Sequence, residues 1–174
     1  MNRVVVGNGS AGAWARLERG ELSMEKFYAA FDRECADAGH ALSAQRLMER
    51  IALGSQPRPT MLTAVRRIRE RGLRAAALTN NWVAEGAEAG TAALRPHFDV
   101  FVESAVVGLR KPDPRIYAHA CRCLEIEAHE AVFLDDIGSN LKAARALGMT
   151  TIKVADPEAA LGELEEVLGL RLLG

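Results

Sequence analysis

The sequence has almost no net charge, few cysteines and no long apolar run. A formal net charge of -1 and a pI near 6.4 exclude the strongly basic surface with which proteins bind nucleic acid or anionic membranes. No apolar run approaches the length of a membrane span, and the N-terminus shows no apolar signal-peptide core, so we expect a cytoplasmic protein without a membrane partner. Three cysteines, an odd number, argue against a disulfide framework.

Two clusters of residues have a plain structural interpretation. Cys121 and Cys123 form a C-x-C in a predicted helix, without a second ligand pair at zinc-like spacing, so we expect both to be buried as small apolar residues. A run of arginines lies before the middle of the chain, at spacings that predict the solvated face of a helix: Arg66, Arg67, Arg69, Arg71 and Arg74.

The chain divides near the proline-rich stretch "SQPRPTM". Before it, "GAWARLERGELSMEKFYAAFDRECADAG" and "SAQRLMERIALG" have the periodicity of helices. Within the first of these stretches, Ser23 is placed to cap the helix that follows it, and Phe27 and Phe31 lie on one apolar face of that helix. This part is therefore predicted to be helical.

After the proline-rich stretch, helical and strand patterns alternate. Gly72 and Gly148 are predicted to end two of the helices, and Pro157 to begin the last one. Strands alternating with helices of this length indicate an α/β protein, with a parallel sheet and helices on both faces. The predicted segments are "TMLTAVRRIRERG", "LRAAALT", "FDVFVES", "DPRIYAHACRCLEI", "AVFLDD", "SNLKAARALG", "TTIKVA" and "PEAALGELEEVLG".

Polar residues follow three of the predicted strands directly. These stretches are "LTNN", "GLRKPDP" and "DDIGSN". Ligands of such sheets bind outside the carboxyl ends of the strands, so we expect a hydroxyl, an amide, a lysine and a carboxylate pair to converge there. Adjacent acids suit a hard divalent cation, while the cation and the lysine together neutralise phosphate oxygens. The pattern predicts a phosphate site with a divalent cation.

The three stretches resemble motifs two, three and four of the haloacid dehalogenase (HAD) superfamily. "RPTML", "ALTNNW", "FDVFVESAVVGLRKPDPRIY" and "VFLDDIGSNLKAARALGMTTIKV" are most similar to the phosphatase domains that precede an epoxide hydrolase or an acyl-CoA dehydrogenase. "GAWARLERGELS" resembles the start of the helical cap of the same group. The resemblance implies a HAD-like Rossmannoid core over residues 58–174 and a small helical cap over residues 1–57.

The resemblance also implies roles in phosphate binding. Thr79 is expected to bind the transferring phosphoryl group through its hydroxyl, and Asn80 to add an amide. Lys111 is expected to neutralise the nucleophile and the phosphate together, which makes Thr79 and Lys111 the candidate catalytic residues. Trp82 lies just beyond the phosphate loop, where the family shapes its substrate pocket.

A magnesium site is implied by the same comparison. Asp136 is expected to bind Mg²⁺ directly, with Asp135 either as a second metal ligand or as a residue that supports the ligands, and Asn140 to orient the cluster by hydrogen bonds.

The family's nucleophile has no counterpart in this sequence. HAD phosphatases attack phosphorus with an aspartate of a D-x-D motif after the first strand, whereas no aspartate here precedes Asp32. If "RVVVGNGS" is aligned as a degenerate first strand, Val6 takes the nucleophile position. We therefore expect the first core strand to be absent, the cap to be N-terminally truncated and the true start to lie upstream of Met1. A deliberately inactive relative is the alternative.

These observations leave several functions open, and whether the chain is an enzyme as given is one of the open points. The leading interpretation is a Mg²⁺-dependent phosphomonoesterase module for a small-molecule or lipid phosphate, inactive as given because the nucleophile strand is missing. The alternatives are a non-catalytic pseudophosphatase or interaction module and, less favoured by the acid pair, a haloacid dehalogenase. Fusion to, or association with, another catalytic domain also fits the resemblance.

Overall fold

The computed structural model describes residues 9–54, 57–83 and 91–173 of the chain. Every helix and strand predicted from residue 12 onward is present, so the α/β fold class is confirmed. Most of the stretch "RVVVGNGS", aligned above as a degenerate first strand, lies outside the described residues, so the expected absence of the first core strand remains a prediction. The helices are α1 (Ala13–Glu18), α2 (Met24–Asp37), α3 (Ala44–Gly54), α4 (Pro59–Glu70), α5 (Ser104–Val107), α6 (Pro114–Leu124), α7 (Gly138–Ala146) and α8 (Pro157–Leu168).

The strands form two separate pairs among the described residues. They are β1 (Ala76–Thr79), β2 (Val100–Glu103), β3 (Val132–Asp135) and β4 (Thr150–Lys153). β1 pairs with β2, and β3 pairs with β4 in parallel, with Val132 opposite Thr150 and Asp135 opposite Lys153. In the described part of the chain no strand joins the two pairs into one sheet.

The chain separates into two compact units. The first comprises Met1–Gln56, Thr79–Ala93 and Glu103–Arg110, and the second comprises Pro57–Leu78, Leu94–Val102 and Lys111–Gly174. The first unit therefore takes in two segments that the sequence-based division at residue 57 assigned to the core. That division into cap and core remains a prediction.

Helices of the first unit are held together by aromatic packing and by carboxylates that cap helix ends. Phe27 and Phe31 of α2 are fully buried, with ring centroids 5.3 Å apart, and Trp14 of α1 lies 5.8 Å from each. The Asp32 carboxylate accepts a hydrogen bond from the N–H of Ala44, 2.7 Å away at the start of α3. Unsatisfied N–H groups at helix starts need such acceptors, so Asp32 links α2 to α3.

Local sequence signals placed the helix ends correctly. The Ser23 hydroxyl accepts a hydrogen bond from the Lys26 N–H at 3.4 Å, which confirms the predicted cap of α2. Gly72 and Gly148 follow α4 and α7 with positive φ, and Pro157 is the first residue of α8.

The core of the second unit lies between α4, β4 and α8. Its buried residues are aliphatic, and the stretch that follows α8 contributes Leu172. The other members are Ala64, Ile152, Ala160, Leu161 and Leu164.

Asp99 ties α4 to the starts of β1 and β2. Its carboxylate accepts hydrogen bonds from Arg69 Nε at 2.9 Å, from Arg69 Nη2 at 2.7 Å and from the Ala75 N–H at 2.8 Å. Arg69 Nη1 also donates to the carbonyls of Pro96 and His97. Arg69 therefore has a specific structural role beyond the solvated helix face that its spacing predicted.

The cysteines differ in exposure. Cys35 and Cys121 are buried, and burial raises the pKa of both thiols. Cys123 is exposed, so the expectation of burial was wrong for this residue. It lies two positions after Cys121 in α6, and residues two apart in a helix do not share a face. Across the described ranges, none of the helices is both long and apolar enough to cross a membrane.

Substitution of Gly20 tests a close backbone approach within the first unit. Gly20 has a φ of +70°, and a Cβ at this position would lie 2.3 Å from the carbonyl oxygen of Ala105. We expect Gly20→Ala to lower the free energy of unfolding by about 2–4 kcal/mol, because left-handed strain and overpacking add. Urea denaturation measures the change.

Gly39→Ala is the matched control. Gly39 has a similar φ of +79° but no atom within 4 Å of an added Cβ, so this variant should lose only about 1 kcal/mol. Equal losses in the two variants would show that the approach to Ala105 does not constrain position 20.

The Asp99 contacts predict a pH dependence of stability. Hydrogen bonds from Arg69 and Ala75 hold the pKa of Asp99 below its usual range. A carboxylate with a lowered folded-state pKa contributes its full stability above the unfolded value of about 3.9, and the contribution is lost as the pH falls through the folded-state pKa. Asp99→Asn should therefore be less stable than the wild type at pH 7, and the difference should narrow below about pH 4.

Urea denaturation at pH 7, 4 and 3 measures this difference, with Asp37→Asn as a control for the loss of one carboxylate. A constant difference between the wild type and Asp99→Asn at all three values would contradict the linkage.

Candidate functional site

Asp135 occupies the last position of β3, and its side chain is buried. Only 4% of that side chain is exposed. The pairing of β3 with β4 holds the backbone, because the Val154 N–H donates to the Asp135 carbonyl at 3.0 Å. A buried carboxylate is costly unless it is paired and hydrogen-bonded. The surroundings of Asp135 therefore define this part of the site.

Lys111 and Asn140 supply those partners. Lys111 Nζ lies 2.7 Å from Asp135 Oδ2, and the lysine side chain is itself only 12% exposed. Asn140 Nδ2 donates to both carboxylate oxygens, at 3.0 and 3.1 Å, and the Ile137 N–H donates to Oδ1 at 2.8 Å. The structure thus brings together three of the predicted site residues within the second unit.

Two aromatic side chains, those of Phe133 and Tyr117, pack next to this cluster. Lys111 Nζ lies 5.6 Å from the ring centroid of Phe133, and the Tyr117 ring meets Phe133 edge-on at 5.3 Å. The Tyr117 hydroxyl donates to the Asn140 carbonyl at 3.0 Å. Burial, reinforced by the negative charge of Asp135, raises the pKa of Tyr117, so this hydroxyl stays protonated and remains a donor. The Asn140 backbone is thereby fixed along with its side chain.

Asp136 has a different environment from its neighbour. It is exposed, and no described residue forms a hydrogen bond or ion pair with its carboxylate. In the described ranges no group of three or more His, Cys, Asp or Glu side chains could enclose a metal ion. Mg²⁺ commonly binds through one or two carboxylates and keeps several waters or phosphate oxygens. The acid pair fits an open magnesium site of that kind and does not fit a closed protein cage.

The other predicted site residues belong to the first unit. Thr79 is the last residue of β1 and is partly buried. The side chain of Asn80 donates to Glu18 at 3.5 Å, and Trp82 packs against Trp14, with ring centroids 6.2 Å apart. Convergence of these residues with the Lys111–Asp135–Asn140 cluster remains a prediction.

Two residues with polar, partly buried surroundings, Glu18 and Arg110, were not identified as site residues from the sequence. Glu18 is 6% exposed, and its carboxylate accepts a hydrogen bond from Arg110 Nε at 2.5 Å. Glu18 lies in "GAWARLERGELS", whose resemblance to the helical cap implied no site residue, and 92 residues separate the partners. The adjacency of Arg110 to Lys111 was the one available signal.

The family model for haloacid dehalogenase-like hydrolases matches residues 2–148 of the chain. Acyl-CoA dehydrogenase family member 10 of Mus musculus is 39% identical over 173 residues, which are 98% of this chain and 16% of that protein. Bifunctional epoxide hydrolase 2 of Sus scrofa is 37% identical over 186 residues, covering 99% of this chain and 34% of that protein. The chain thus spans about a third or less of the length of these relatives.

A solved structure gives the same fold. The HAD family enzyme of Bacteroides thetaiotaomicron, in complex with magnesium and inorganic phosphate, aligns with a TM-score of 0.63 and 22% identity, over 87% of this chain and 80% of that one. With the family model matched over most of the sequence, this chain belongs to the haloacid dehalogenase-like hydrolases.

Proposed function

We propose that this chain forms the phosphate-binding and cation-binding part of a Mg²⁺-dependent phosphomonoester phosphatase domain. The observation that carries the proposal is the Lys111–Asp135 ion pair at the carboxyl end of β3, with Asn140 bonded to both oxygens of Asp135. A lysine and an acid pair at a strand end have the chemistry of a phosphate and cation site. The structural relative that holds magnesium and inorganic phosphate supports the same interpretation.

Each residue has a distinct task in this proposal. Thr79 and Asn80 donate hydrogen bonds to phosphate oxygens, and the Lys111 ammonium neutralises their charge. Trp82 lines the pocket for the rest of the substrate.

The two acids of the pair have different roles in this proposal. Asp136 offers its exposed carboxylate to Mg²⁺, and Asp135 remains fixed by Lys111 and Asn140. Mg²⁺, when bound, supplies positive charge next to the phosphate.

Turnover is not expected from the 174 residues as they stand. No aspartate precedes Asp32, and the Asp32 carboxylate already accepts the N–H of Ala44 at the start of α3. The residues that remain can bind phosphate without attacking phosphorus. This favours a second candidate function, a non-catalytic binding module that uses the same phosphate site.

Binding of inorganic phosphate tests the proposal directly. We expect saturable binding by the full chain in isothermal titration calorimetry, strengthened by MgCl₂, and no hydrolysis of p-nitrophenyl phosphate. Thr79→Val and Lys111→Met should each weaken phosphate binding, Lys111→Met by about tenfold or more, because a charged hydrogen bond contributes about 1.5–3 kcal/mol.

Lys142→Met is the matched control, because Lys142 is an exposed lysine of α7 and its loss removes the same charge. Lys111→Met leaves the buried Asp135 without its ion pair, so thermal melts must accompany it, while Thr79→Val leaves that pair intact. Absence of phosphate binding by the wild type would refute the proposed site. Hydrolysis by this chain would refute the assignment of a binding-only role.

A further inference from the structure

Glu18, at the end of α1, gathers three side chains that are distant from one another in the sequence. Its Oε1 accepts from Trp14 Nε1 at 3.0 Å, while its Oε2 accepts from Arg110 Nε at 2.5 Å and from Asn80 Nδ2 at 3.5 Å. All four residues belong to the first unit. Glu18 is therefore a buried acidic centre separate from Asp135.

Stability alone does not explain this pair. Burying a carboxylate and a guanidinium removes both from water, and their attraction often does no more than offset that cost. In proteins generally, replacing a buried ion pair by apolar residues of similar volume is often neutral or stabilising. The pair instead orients the guanidinium.

Arg110 is held at one nitrogen and leaves the others available. Only Nε contacts Glu18, and Nη1 and Nη2 form no hydrogen bond or ion pair with the described residues. The side chain is 23% exposed, so part of it can be reached from solvent. Arg69 differs, because its Nη1 and Nη2 are both bonded to protein oxygens. A planar guanidinium with free N–H groups is suited to bidentate binding of phosphate oxygens.

The position of Arg110 in the chain connects it to the proposed site. It directly precedes Lys111, and Glu18 also holds Asn80, which directly follows Thr79. Glu18 thus contacts Asn80, itself a proposed phosphate ligand, and Arg110, the residue before the proposed ligand Lys111.

We propose that Arg110 is a further phosphate-binding residue that donates its terminal N–H groups to the dianion of a phosphate monoester, and that Glu18 is its positioning residue. This inference rests on the proposed function and adds a second cation, in addition to Lys111, to the recognition of phosphate. The hydrogen bond from Arg110 Nε to Glu18 Oε2 fixes the orientation of the Arg110 side chain.

Titration of the full chain with inorganic phosphate tests the role of Arg110. Arg110→Lys keeps a cation for Glu18 but loses the paired terminal nitrogens, so folding is maintained and the Kd for phosphate should rise about tenfold. Arg110→Met should raise the Kd at least as much. Arg33→Met, which removes an exposed arginine of α2 from the same unit, should leave the Kd unchanged.

A double-mutant cycle tests whether Glu18 acts through Arg110. Glu18→Gln should raise the phosphate Kd in the wild-type background and have no further effect in the Arg110→Lys background. A general structural role would raise the Kd equally in both backgrounds and would overturn the assignment of Glu18.

The two proposals fail in different ways. If the wild type binds phosphate and Thr79→Val weakens binding, but both Arg110 variants keep the wild-type Kd, the inference about Arg110 is wrong and the proposed function stands. If the wild type binds no phosphate with or without MgCl₂, the proposed function fails and this inference falls with it.

Discussion

The burial of Asp135 imposes a condition that much of the second unit meets. A carboxylate that is shielded from water must be neutralised and hydrogen-bonded, or the folded state loses several kcal/mol. Lys111 provides the charge, and Asn140 and the Ile137 N–H provide the hydrogen bonds. One side chain, that of Asp135, therefore connects the stretch before α6, the end of β3 and the first turn of α7.

Glu18 imposes a similar condition on the first unit. It holds a cation, an amide and an indole from separate stretches of the chain, as Asp135 holds Lys111, an amide and a backbone N–H. In both places a buried acid orders polar groups that lie next to, or within, the predicted phosphate-binding stretches. Each unit thus contains a buried acid that is paired with a cation.

Features with a local cause were predictable from the sequence. Ser23 precedes an amphipathic run and caps it, and glycines with positive φ follow α4 and α7 where the apolar periodicity ends. The positions of Asp135, Lys111 and Asn140 after strand patterns identified them as candidate site residues. That grouping followed from the rule that ligands bind at strand ends.

Features set by tertiary contacts were not predictable in this way. Asp135 and Asp136 are adjacent in the sequence, yet one is buried and paired and the other is exposed. Glu18 and Arg110 are 92 residues apart, so their pairing has no local sequence signal. The helical spacing of Arg69 likewise does not reveal its contact with Asp99. Among the described residues, the division of the strands into the pairs β1–β2 and β3–β4 is likewise a matter of tertiary pairing, which the strand patterns do not specify.

The contact of Lys111 with Phe133 has a consequence for the thermodynamics of ligand binding. A free lysine side chain carries about 2 kcal/mol of rotamer entropy, which is normally lost when its ammonium becomes fixed on an anion. Here the ring of Phe133 and the carboxylate of Asp135 restrict the side chain during folding. An anion that reaches Lys111 meets an ammonium that is already immobilised, so little configurational entropy remains to be lost on association.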